Sequence, residues 1–267
     1  MDLTSSQTES LQKMRETFAS SSGFGMRMDD SSYLRYLRAR NFDVSKASTL
    51  LNETLNWRQS FGLESVETWK DMALTQSATG KMYVRGYDNE GHALIYMKPG
   101  LENLFDHDGS IKYLVHTMEK AVAGMNSRSN QEKLVLLIDF DGFSLFNSPP
   151  MKTSLETLHI LQNHYPERLH RAYLAHPPWI FNAFWNMVYP FIDNVTKEKV
   201  IFLPSKESVQ KTLASVADLS KVEPCFGGDD HRLFSSERYV NAPFHMDYLS
   251  ILEEAESGLN GVETTSS

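Results

Sequence analysis

Five consecutive apolar residues, Leu134-Val135-Leu136-Leu137-Ile138, stand between Lys133 and Asp139. An uninterrupted run of this length suits a strand covered on both faces, because a half-exposed strand alternates apolar with polar side chains. Such a strand needs neighbours on each side and helices above and below it. The run therefore predicts a mostly parallel sheet connected by crossover helices.

The flanking segments agree. Strand-like stretches over 81–86 and 93–98 are joined by the turn Asp88-Asn89-Glu90-Gly91, a composition that favours reversal of the chain. A helix is expected over 108–123, the buried strand over 133–140, and a helix over 150–164 opened by Ser148-Pro149-Pro150. Strands over 171–175 and 199–203 and a helix over 207–216 complete the alternation. Residues 1–75 read instead as helices. Tyr33, Leu34 and Leu37 share one helical face while Arg35, Arg38 and Arg40 occupy the rest. Asp29, Asp30, Ser31 and Ser32 are candidates to cap that helix, and Asp43 caps the next, whose stripe of Ala47, Leu50, Leu51 and Leu55 ends at Phe61-Gly62. Gly23 and Gly25 mark a loop, and a short helix is expected over 65–74. Beyond Glu253 the periodicity fades into Glu, Gly, Thr and Ser, which predicts a frayed or disordered tail. The fold class is α/β: an N-terminal all-helical lobe (1–75), a mixed, mostly parallel sheet flanked by helices (76–230) and a C-terminal extension (231–267).

At 267 residues the chain can bury one sizeable core with a small appendage. The balance of 26 Lys and Arg against 34 Asp and Glu, net −8, argues against nucleic acid as a partner. Cys225 is the sole cysteine, so no intramolecular disulfide or CxxC pair can form. Residues 1–10 carry Asp2 and Glu9 where a secretory leader has a basic and then an apolar stretch, and a cytoplasmic location is the expectation.

The usual tools of α/β enzymes are absent: no GxSxG elbow, GxxxxGK[ST] loop, GxGxxG turn or HExxH helix occurs. The nine histidines are scattered, and the spacing of His159 and His164 points their rings to different helix faces. Asp139 and Asp141 flank Phe140 and read as a strand-end turn before Gly142 in preference to a cation site. No catalytic residue, metal set or cofactor is expected.

The unusual feature is the stretch over 179–192, part of a segment from Ala172 to Ile192 that holds no Asp, Glu, Lys or Arg. It is long enough to cross a bilayer of about 30 Å, but Pro177, Pro178, Pro190, Asn182 and Asn186 argue against a span. It reads as a greasy helix with a thin stripe of Asn182 and Asn186, either buried in the core or serving as a movable lid. Trp179, Ile180, Phe181, Phe184, Trp185, Met187, Val188 and Phe191 would form that gate and line the pocket beneath it. A lid has a physical rationale, since each methylene drawn from a bilayer into water costs about 0.8 kcal/mol.

The segments Leu34-Arg35-Tyr36-Leu37-Arg38-Ala39-Arg40-Asn41-Phe42-Asp43 with Trp57-Arg58, then Gln162-Asn163-His164-Tyr165-Pro166-Glu167-Arg168, then Pro190-Phe191-Ile192-Asp193 with Thr196, follow in order. Across about residues 30–230 the chain resembles the CRAL-TRIO lipid-binding proteins, in the branch typified by the phosphatidylinositol/phosphatidylcholine transfer proteins. The resemblance implies a helical lobe beside a sheet-floored lipid pocket closed by a gate helix. It implies that Thr196 and Lys199, assisted by Arg40, hold a headgroup phosphate, and that Glu167 pairs with Lys199. A hydroxyl donor and a cation together suit a phosphate monoanion. Leu134 and Leu136 stand where the phosphatidylcholine mode uses hydroxyl residues, and Ile95, next to Tyr96, stands where it uses a tyrosine; that mode is not expected in its usual geometry. Asn41 replaces a common basic residue.

The resulting expectation is a carrier of phosphatidylinositol or a related phospholipid, a monomer touching membrane surfaces transiently, with a lipid kinase as a candidate partner. A carrier of a sterol, tocopherol-like or retinoid-like molecule, and an interaction module without a lipid, stay open as alternatives.

Overall fold

The structure is a computed structural model that describes residues 3–129, 131–144 and 146–263, with side chains to residue 257. In chain order its elements are α1 (Ser5–Thr17), α2 (Asp30–Ala39), α3 (Val44–Phe61), α4 (Lys70–Ser77), β1 (Met82–Tyr87), β2 (Ala93–Met97), α5 (His107–Arg128), β3 (Leu134–Asp139), α6 (Met151–His164), β4 (Leu169–Ala175), α7 (Phe181–Val188), α8 (Asn194–Lys197), β5 (Val200–Leu203), α9 (Lys206–Val216), α10 (Ser236–Asn241) and α11 (Tyr248–Glu263). Short 3-10 turns lie between several of them. Two compact units emerge, one of residues 1–68 and 156–168, the other of 69–155 and 169–267, so the boundary falls inside α6.

Capping starts α2 and α3 where the sequence predicts, and α1 begins on a capping box that the sequence reading did not single out. Thr4 and Gln7 form a capping box on α1, and the side chains of Asp29 and Asp43 accept from Ser32 N and Lys46 N at the starts of α2 and α3. Gly62 ends α3 with φ 79°, a conformation that glycine adopts without strain. Leu11, Met14 and Phe18 pack with Tyr36, Leu37, Leu50, Leu51 and Leu55 into one cluster. Thr54 donates to the Asn163 carbonyl at 3.1 Å, and the Trp57 ring stacks on His164 at 4.2 Å.

The second unit is built on a five-stranded sheet in the order β1-β2-β3-β4-β5. β1 runs antiparallel to β2 and every other pairing is parallel. The apolar run forms β3 at the centre, with Leu136 level with Ile95 and Ala172, and Ile138 level with Met97 and Leu174. Side chains alternate in direction along a strand. One face therefore carries Ile95, Leu136, Ile138, Ala172, Leu174, Val200 and Phe202; the other carries Tyr96, Val135, Leu137 and Tyr173.

β1 is tied to the chain beyond β5 by buried charge. Arg85, fully enclosed, donates to Asp230 at 2.6 Å and lies 3.4 Å from Glu223. Lys98 and Tyr83 donate to Glu223, and Arg232 donates to Asp230 at 2.7 Å. Gly86 N donates to Asp247 at 2.7 Å. At φ 69°, with Leu249 only 3.2 Å from where a Cβ would stand, position 86 requires glycine.

Three expectations change. Instead of one helix over 65–74 there is a 3-10 turn, Leu63–Thr68, broken by the non-helical backbone of Ser65 (φ −112°, ψ 17°) and followed by α4. The tail expected to fray after Glu253 is helical to Glu263, as α11; residues 264–267 lie outside the described residues. The packing of α11 on β1, through Leu249 at Gly86, supplies order that composition did not signal. The helix expected over 179–192 is α7 alone, followed by a 3-10 turn, Tyr189–Phe191. Pro190 lacks the N–H that would continue the α-helix. Among the described residues no helix is long and apolar enough to cross a membrane.

Candidate functional site

α7 follows β4 through Pro177-Pro178, which brings it back over the sheet. Phe181, Phe184, Trp185 and Val188 recur at helical spacing and turn inward, so the helix is one-sided rather than greasy all round. Phe181 and Val188 are buried; Asn182, Ala183, Asn186 and Met187 are exposed. Phe181 packs with Phe140, Ala172 and Leu174, while Leu136, Ile138, Phe143, Leu169, Phe184, Trp185 and Val200 border that cluster and stay partly accessible. The Trp185 ring meets Phe202 edge-on at 5.2 Å.

The burial of β3 alternates in an informative way. Val135 and Leu137 are fully buried on one face, yet Leu136 and Ile138, on the same central strand and facing α7, are not. Apolar side chains left partly accessible on a central strand are a surface that an apolar guest can cover.

The remaining gate residues lie on the outside. Trp179 is 84% exposed, Met187 51% and Phe191 57%, with Ile180 half-buried before the first turn. Val195 is exposed as well, and Lys197 Nζ sits 4.2 Å over the Tyr189 ring.

Beyond the gate, Asp193 caps α8 by accepting from Thr196 N at 2.8 Å. Lys199 N donates to the Thr196 carbonyl at 3.0 Å, and the Lys199 carbonyl accepts from Ala172 N at 2.9 Å. This one turn brings Thr196 and Lys199 together, both half-buried, against the β4 edge. Arg40 and Glu167 belong to the helical unit. Arg40 closes α2, its guanidinium donating to the Ala39 carbonyl at 2.9 Å, ahead of Asn41 and Phe42 at φ 50° and 61°. Glu167 has φ 59°, between Pro166 and the buried Arg168. That left-handed conformation costs a non-glycine residue about 1–2 kcal/mol, which makes the choice of Glu there a candidate functional signal.

Asp139 accepts from Asp141 N at 3.1 Å, the strand-end turn expected, and also from His176 Nδ1 at 2.9 Å. The histidine readings need revision. The His159 and His164 rings are 5.9 Å apart instead of pointing to separate faces, because His164 is the last helical residue and is fixed by its stack on Trp57. Burial, with His159 and Arg58 nearby, pushes the His164 pKa down to about 4. His92 and His170, scattered in sequence, stack at 4.2 Å. Tyr96 turns away from Leu136 onto the opposite sheet face, where it meets Phe226 at 5.0 Å, so it supplies no hydroxyl under α7.

Sequence reasoning missed the network of Arg85 with Glu223 and Asp230, both of which lie more than a hundred positions further along the chain. It also missed the exposed Leu101, Phe105 and Phe146, which no periodicity marks.

A model of the CRAL/TRIO domain matches residues 77–228, and one of the CRAL/TRIO N-terminal domain matches residues 7–53. The chain belongs to the CRAL/TRIO family. Within it, the chain stands in the branch of the SEC14 cytosolic factors and phosphatidylinositol transfer proteins. Among its CRAL/TRIO relatives, a CRAL-TRIO domain-containing protein of Schizosaccharomyces pombe is 34% identical over 206 residues, 77% of this chain and 19% of that protein. The phosphatidylinositol transfer protein PDR17 of Saccharomyces cerevisiae is 36% identical over 180 residues, 64% of this chain. The chain spans about half of PDR17, 51% of its length. The crystal structure of Sfh5 superposes with a TM-score of 0.70 at 16% identity, covering 97% of this chain and all of that one, a likeness of fold.

Proposed function

We propose that this CRAL/TRIO chain binds phosphatidylinositol, or a related phospholipid, under α7 and exchanges or presents it at membranes. The observation that carries the reading is the partly accessible apolar face of Leu136 and Ile138 beneath Phe184 and Trp185. Acyl chains transferred there exchange hydrocarbon for hydrocarbon, which removes most of the roughly 0.8 kcal/mol per methylene that water would impose. The names of the relatives support the same ligand class.

On this reading Thr196 and Lys199 hold the headgroup phosphate, and Arg40 and Glu167 keep the assisting roles that the resemblance implies. Trp179, Ile180, Phe181, Phe184, Trp185, Met187, Val188 and Phe191 form the gate and the pocket wall. Residues 1–75 serve as the helical lobe, 76–230 as the lipid-binding domain and 231–267 as an extension. The lipid is a ligand; neither catalysis nor a cofactor enters the reading. The chain works in the cytoplasm as a monomer without nucleic acid, and a lipid kinase is a recipient of the presented lipid.

On this reading the membrane-facing surface lies at one end of the sheet. Leu101 and Phe105 follow β2, Phe146 follows β3, and Trp179 follows β4, and all are exposed. The C-terminal ends of parallel strands share one sheet edge, so these apolar groups are displayed along that edge, beside the gate. Such a rim inserts into the headgroup layer more readily than a charged one.

Lipid extraction and native mass spectrometry of the purified protein test the ligand, with one phosphatidylinositol per chain expected. An empty chain, or one loaded with sterol, overturns the reading. Lys199→Ala should lower phosphatidylinositol transfer between vesicles roughly 10- to 100-fold, as loss of a charge-assisted hydrogen bond implies. Its thermal midpoint should stay at the wild-type value.

A further inference from the structure

At the N-terminal ends of the parallel strands, across the sheet from the gate edge, three chemically matched side chains meet. Ligand atoms of Glu90, His92 and His170 all lie within 4.8 Å of one another, a grouping met at this one place among the described residues. We infer that Glu90, His92 and His170 form a binding site for a divalent transition metal of the zinc class. Two imidazoles and a carboxylate match the donor set preferred by such ions.

The turn before β2 organises the site. Asp88 accepts from Glu90 N at 3.0 Å and from His92 N at 2.8 Å, and its second oxygen accepts from His92 Nδ1 at 2.8 Å. A carboxylate can only accept, so in the neutral ring His92 Nδ1, which lies 2.8 Å from Asp88 and 4.0 Å from Glu90, carries the proton, and a metal would bind at Nε2 after the ring turns toward it. This carboxylate–histidine arrangement commonly orients a metal-bound ring. His170, one residue into β4, stacks on His92 with planes 16° from parallel, and its ring nitrogens make no hydrogen bond among the described residues. The charges of Asp88 and Glu90 together balance a dication.

The groups are near coordination without being closed around an ion. Donors bound to one tetrahedral zinc at about 2.1 Å stand roughly 3.4 Å apart, so the cluster must contract. Lone pairs of near-parallel rings do not converge either, so loading must tilt one ring. The exposed Glu90 and half-buried His170 have room for this. The bound ion would clip the β1–β2 turn to the start of β4, far along the chain, and act as a staple.

The test uses the full chain, stripped with EDTA, and Zn2+ titrated calorimetrically at pH 7.5. One ion per chain should bind at micromolar or tighter dissociation constant, and the thermal midpoint should rise by several degrees on loading. His170→Asn and Glu90→Gln change accessible side chains, so their metal-free midpoints should match wild type. Zinc affinity should then fall by about 100-fold and 10-fold, respectively. Absence of stoichiometric uptake by wild type overturns the inference, as does uptake that survives in the double variant. Lipid extraction from the same samples reads the lipid proposal separately, since the site lies away from α7.

Discussion

The Phe181 ring lies 4.3 Å from the Phe140 ring, tilted by 52°, so the first turn of α7 is bolted to the end of the central strand. Six residues on, Met187 faces outward. The gate is therefore anchored at its start and exposes apolar side chains, Met187 and Phe191, toward its far end, so its two ends should respond differently to mutation.

Phe181→Ala should cost about 3–5 kcal/mol, as removal of a buried aromatic does, and lower the urea midpoint markedly. Met187→Asp with Phe191→Asp should change stability by only about 0.5 kcal/mol while vesicle binding and lipid exchange collapse. Phe184→Asp touches the inner cluster, so both readouts should fall together. Equal stability losses for the first two variants would remove the distinction.

Glu167→Gly relieves a left-handed conformation but also loosens the unfolded chain, two effects of about 1 kcal/mol that oppose each other. Folding stability should remain near wild type, whereas bound phospholipid per chain should drop. A variant that loads normally but unfolds more easily would make Glu167 a structural residue.

Asp230→Asn leaves the enclosed Arg85 short of its closest anion and should cost about 3–5 kcal/mol at pH 7. Burial by itself would raise the Asp230 pKa, but hydrogen bonds from Arg232 and the charge of Arg85 outweigh it and hold the carboxyl at about 2. In the unfolded chain the group protonates near 3.8. Its contribution is thus complete above about pH 4 and drains away as pH falls toward 2. Acid titrations followed by circular dichroism should show a shallower decline over that range in the variant.

His116 is enclosed, edge-on to Phe244 at 5.2 Å. Burial, aided by the Lys120 charge, pushes its pKa down to about 4 from 6.5. The unfolded chain takes up a proton first as the solution is acidified. Stability from neutral His116 is therefore whole above pH 6.5 and is lost as pH falls toward 4, by up to about 3 kcal/mol. His116→Phe should flatten the fall of the urea midpoint between pH 7 and pH 4.5. An unchanged slope would show that His116 is not the group responsible.

Local chemistry was readable from the chain itself. Asp29 and Asp43 cap helices because a side-chain oxygen two or three residues from a free N–H needs no distant partner. The run from Leu134 to Ile138 lies at the middle of the sheet because five apolar side chains demand cover on both faces. The place of α7 after the paired prolines was legible for the same reason, though Pro190 shortened it.

What periodicity could not disclose depends on distance through space. Which face of α7 turns inward is decided by Phe140, just past β3, by Ala172 of β4 and by Phe202 of β5. The pairing of Arg85 with Asp230 spans 145 positions, and the stack of His92 on His170 joins a turn to a strand. Hydrogen bonds within a turn are written in neighbouring residues. Burial, charge pairing and clustering of ligand atoms arise only when the folded chain excludes water between segments that the sequence keeps apart.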